Sequence, residues 1–82
     1  MDDIVYELCN YLEDKLGLFV HVGAIKSFDV KLIFSDDRIN QNYIMEIWIP
    51  RKMLKREKFL SIFCYARYRL ECLVGWKGIY NE

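Results

Sequence analysis

Apolar residues recur along the chain first at helical spacing and then at strand spacing. Ile4, Val5, Leu8, Tyr11, Leu12 and Leu16 fall on one side of a helix, which predicts an amphipathic helix over residues 3–16. Asp2 or Asp3 caps its start, and Gly17 ends it. Residues 18–24 are rich in β-branched and aromatic types and read as a strand. Over residues 28–35, Phe28, Val30, Leu32 and Phe34 alternate with Asp29, Lys31 and Ser35. Over residues 42–49, Tyr43, Met45, Ile47 and Ile49 alternate with Ile44, Glu46 and Trp48. Period-2 alternation belongs to a sheet with one buried face. The polar stretch from Asp36 to Asn42 reads as a hairpin loop between the last two strands.

Pro50 closes the third strand. Beyond it, Phe59, Phe63, Ala66, Leu70 and Leu73 recur at helical intervals. That stripe predicts a long helix from about Met53 to Val74, ended by Gly75. Trp76 to Glu82 read as a short extra strand or a packed tail. The expectation is one α+β domain over residues 1–82, in the order α-β-β-β-α. Its three strands form an antiparallel sheet, and both helices cover one face. The core is then Ile4, Leu8, Leu12, Val30, Leu32, Phe34, Met45, Ile47, Phe59, Phe63 and Leu70.

Composition sharpens this picture. Of the 82 residues, 54% are hydrophobic, more than a small domain hides with ease. A dense core or a partner is the outlet. No apolar run reaches the length of a membrane span, and no basic segment followed by an apolar stretch opens the chain. We therefore expect a cytoplasmic protein with no membrane association. Cys9, Cys64 and Cys72 are odd in number and form no CxxC pair. They read as reduced, buried thiols, with no disulfide framework, metal site or cofactor.

Charge is neutral in sum but uneven along the chain. Residues 1–50 hold four basic against nine acidic residues, a net −5, and residues 51–82 hold eight against three, a net +5. Arg51, Lys52, Lys55, Arg56 and Lys58 are opposed locally only by Glu57. At a helix start this cluster works against the helix dipole. Either acids of the first helix or of Asp36 and Asp37 neutralise it, or it meets phosphate or an acidic protein.

The run Arg51-Lys52-Met53-Leu54-Lys55-Arg56-Glu57-Lys58, behind an α-β-β-β order, resembles the double-stranded RNA-binding domain. In that family, basic residues at the start of the last helix grip phosphates across a groove. The resemblance covers the topology and the cluster. The KKxAK-type pattern of that family is absent here, and the chain is neutral where that surface is basic.

Chemistry for catalysis is sparse, and no catalytic residue is assigned. His21 sits in a strand pattern between Val20 and Val22, and the serines lie in no nucleophile motif. The chain has no P-loop and no GxGxxG. Two surfaces carry more apolar character than solvent requires. One is the sheet face away from the helices, with Phe19, His21, Lys31, Ile33, Ile44, Glu46 and Trp48. Either the C-terminal tail, with Trp76, Ile79 and Tyr80, folds over this face, or it meets a partner, with Phe19, Lys31, Glu46 and Trp48 as candidate contacts and Trp48 as anchor. The other is the outward side of the long helix, with Tyr65, Tyr68 and Cys72 as candidates for a partner or for a homodimer. The expectation is a small, non-enzymatic protein-binding module, of the kind that phage and mobile elements use to inhibit or regulate a host protein. The alternative is nucleic-acid binding through residues 51–58.

Overall fold

The computed structural model describes residues 3–36 and 42–73. The expected tail from Trp76 to Glu82, and most of the loop before Asn42, lie outside the described residues. Helix α1 spans Asp3–Leu16, β1 Phe19–Ile25, β2 Asp29–Ser35, β3 Tyr43–Pro50 and α2 Phe59–Leu73. Two 3₁₀ turns, Arg51–Met53 and Arg56–Lys58, connect β3 to α2. The fold is α+β in the order α-β-β-β-α. Its strands form one antiparallel sheet in the order β1-β2-β3.

Both helices cover the same sheet face. Val20, Val30, Leu32, Phe34, Met45, Ile47 and Ile49 turn towards them and are buried. From α1 come Val5, Leu8, Cys9, Leu12 and Leu16, and from α2 Phe59, Ile62, Phe63, Ala66 and Leu70. Tyr11 of α1 packs its ring on Phe59 of α2, with centroids 5.4 Å apart. Ten of the eleven expected core residues are buried. Ile4 is only partly so, because the α1 stripe is centred on Val5.

Local departures have local causes. Gly17 adopts φ 70, the left-handed conformation that ends α1 without steric cost. Phe28 was expected on the core face but is 86% exposed, since it lies in the turn ahead of β2. The register shifts between Phe34 and Ser35. That irregularity buries Ser35 and leaves Tyr43 exposed, the reverse of what unbroken alternation gives. A second shift lies between Val22 and Ala24. There, a Cβ on Gly23 would stand 2.6 Å from Cδ1 of Ile33, so a side chain at this position would require Ile33 to shift.

The expected helix start near Met53 is corrected to Phe59. Leu54 (ψ 68) and Lys55 (φ −137, ψ 143) leave helical geometry. A helix running through 53–58 would place cations in its first turns against the dipole. The chain instead breaks there, and Met53 and Leu54 pack against the core.

Candidate functional site

The two edges of the sheet are treated differently. β1 lies under α1, and Glu13 Oε2 accepts a hydrogen bond from the outward N–H of Val20 at 2.9 Å. Among the described residues, no strand pairs with the outer side of β3. The ladder shows which groups that edge presents. The N–H of Arg51 donates to the carbonyl of Phe28 at 2.9 Å, which makes Asp29–Pro50 a non-hydrogen-bonded pair. Counting back through the register, Ile49, Ile47 and Met45 turn their backbone groups to β2. Trp48 and Glu46 turn theirs outward.

Beside this edge runs α2. A groove of about 520 Å³ is lined by Tyr43 to Trp48, Tyr65 and Arg69. A second recess of about 210 Å³ continues it and is lined by Trp48, Ile49, Pro50, Met53, Ser61, Ile62 and Tyr65. Advancing along α2 therefore means going back along β3. Trp48, 41% exposed, and Tyr65, 46% exposed, line both. They come from the two surfaces that sequence treats as separate, the sheet face and the long helix.

Cations stand beside the two aromatic residues. Lys31 Nζ lies 5.5 Å and Lys26 Nζ 5.9 Å from the Trp48 ring centroid, close enough for cation–π attraction. Glu46 pairs with Lys31 at 3.7 Å. Arg69 donates from Nη1 to the Tyr65 hydroxyl at 2.7 Å and lies over that ring at 5.7 Å. Its Nε is buried and has no hydrogen-bond partner. Sequence reasoning passed over Arg69. The available signal was its i, i+4 spacing from Tyr65.

The other candidates fall elsewhere. Phe19 sits on β1 next to a shallow recess with Asn10, Glu13 and Asp14, away from Trp48. Tyr68 and Cys72 are exposed on α2 but do not line the groove. Cys64 is exposed as well, which corrects the expectation of three buried thiols. Only Cys9 is buried, and burial together with the charge of Glu13 pushes its thiol up to about 11. Such a thiol is a poor nucleophile at neutral pH.

The basic cluster is divided by the fold. Arg56 donates to Glu7 through Nε at 2.7 Å and Nη2 at 2.6 Å. That fork holds the Glu7 carboxyl below its ordinary value and raises Arg56. Arg51 donates from Nε to the carbonyl of Lys26 at 2.9 Å. Lys52, Lys55 and Lys58 are exposed. The cluster stands in the 3₁₀ turns and not in the first turn of a helix. Among the described residues, no helix is long and apolar enough to cross a membrane. No family model, curated protein or solved structure matches this chain.

Proposed function

We propose that this chain is a non-enzymatic protein-binding module that docks its partner in the groove between β3 and α2, and that it acts as an inhibitor or regulator of that partner. One observation carries the reading. Trp48 and Tyr65, each a large aromatic with much of its surface exposed, line one groove beside a strand edge that is unpaired among the described residues. Aromatic anchors in a recess flanked by free backbone groups are the features on which protein partners dock. Nucleic-acid binding is the second reading. It rests on Lys52, Lys55 and Lys58, since Arg56 is held by Glu7.

The test compares three proteins as bait: the natural chain, Trp48→Ala with Tyr65→Ala, and Lys52→Glu with Lys55→Glu and Lys58→Glu. A purified partner that binds the first and third and loses at least about tenfold in affinity for the second supports the reading. Salt-sensitive binding of duplex RNA or DNA that vanishes only in the lysine variant would replace it with the second reading.

A further inference from the structure

An open strand edge presents backbone donors and acceptors at fixed intervals. Here they belong to Glu46 and Trp48, as derived from the register. Ligands that satisfy such a row are extended peptides, which add as a further strand. The groove beside the edge also has a chemistry of its own. Among the described residues, its lining holds one cation, Arg69, and one acid, Glu46, which Lys31 engages. Arg69 keeps a buried Nε without an acceptor. A buried donor without a partner is destabilising, and an acceptor that reaches it relieves that cost. With Nη1 turned to Tyr65, the Nε–Nη2 side is the one a carboxylate engages with both oxygens.

Spacing adds a constraint. Tyr65 and Arg69 are four residues apart on α2, about 6 Å along the axis. Side chains on one face of a strand repeat every two residues, about 6.6 Å. A strand lying along β3 therefore sets alternate side chains against Tyr65 and Arg69 in step. We propose that the groove takes an extended segment of a partner protein as a fourth strand on β3, with an aspartate or glutamate against Arg69 two residues from an apolar side chain against Tyr65. The carboxylate reaches Nε after a rotation about the terminal torsions of Arg69. A second copy of this chain fits less well, because the only acid its β3 offers is Glu46, already paired with Lys31.

This proposal rests on the docking groove put forward above, and its test separates the two. A displayed library of random linear peptides is selected on the natural chain. The selected peptide is then synthesised in two further forms, one with its acid changed to the amide and one with N-methyl groups on alternate backbone amides. Expected are sequences with Asp or Glu two positions from an apolar residue. Changing either the peptide acid or Arg69→Gln should lower affinity roughly ten- to a hundredfold. Arg69→Lys should recover only part of the loss, since it lacks the fork. N-methylation should abolish binding on one alternate set of amides and be tolerated on the other. Thermal melts of the Arg69 variants exclude loss of fold as the cause.

Peptides that need Trp48 and Tyr65 but ignore Arg69 and tolerate every N-methyl group would overturn strand addition and leave the docking groove standing. Selection that yields no groove-dependent peptide would count against both. A groove filled by a second copy, seen as a doubled mass that Trp48→Ala abolishes, would overturn the proposal. So would a groove filled by residues 74–82, seen as peptide binding that appears only when they are removed.

Discussion

Glu7 and Arg56 lie 49 positions apart in the chain, yet they form an ion pair joined by two hydrogen bonds. Both are exposed, so the pair adds little to stability in salt solution. It does set a pH dependence. The Glu7 carboxyl is held below its ordinary value of 4.5 by the hydrogen bonds from Arg56. Its contribution is therefore complete above the unfolded value and is lost as the pH falls through the lower, folded one. Denaturant melts should show a stability gap between the natural chain and Arg56→Ala that is smaller at about pH 3 than at about pH 7. A gap of equal size at both values would remove Glu7 as the partner that matters. None of this is visible in local sequence. The charge imbalance between the halves of the chain pointed to neutralisation, but which acid meets which base depends on how α1 and the 3₁₀ turns pack. For the same reason Arg69 escaped notice. Its spacing from Tyr65 can be read from sequence, but the strand edge beside it cannot.

At the level of elements, alternation and helical spacing carried most of the fold. The stripe from Val5 to Leu16 and the alternation through Leu32 and Ile47 each report one buried face, and burial dominates small folds. Alternation misled where the ladder is irregular. Ser35 is buried and Tyr43 is exposed beside a register shift that no spacing announces. The start of α2 was misplaced because helix propensity continues through residues 53–58, while tertiary contacts of Met53, Leu54 and Arg56 favour a break. The cap that α1 places on β1 is also an element-scale device. Glu13 accepts from Val20 across the open side of the strand. Glu13→Ala should leave that N–H without its partner and lower stability by about 1–2 kcal/mol in chemical denaturation. A loss below a few tenths of a kcal/mol would mean that water replaces the carboxylate without cost.

At the scale of the whole molecule, the account rests on a difference between the edges. On β1, Glu13 of α1 accepts from the outward N–H of Val20, while among the described residues no strand pairs with the outer side of β3, which has Trp48, Tyr65 and Arg69 around it. Sequence alone offered the sheet face and the long helix as rival surfaces. Strand order and the course of α2 bring part of each, Glu46 and Trp48 from the one and Tyr65 from the other, to one groove. An open edge on a small domain favours aggregation unless it is charged, irregular or used. Glu46 and Pro50 blunt this one in part, and the proposed docking role would account for the rest. The most direct test is amide hydrogen exchange along β3 in the free chain, over a range of protein concentrations. The account predicts fast exchange at Glu46 and Trp48, interleaved with slow exchange at Met45, Ile47 and Ile49. Slow exchange at Glu46 and Trp48 at every concentration would mean that the edge is already covered, and would contradict it.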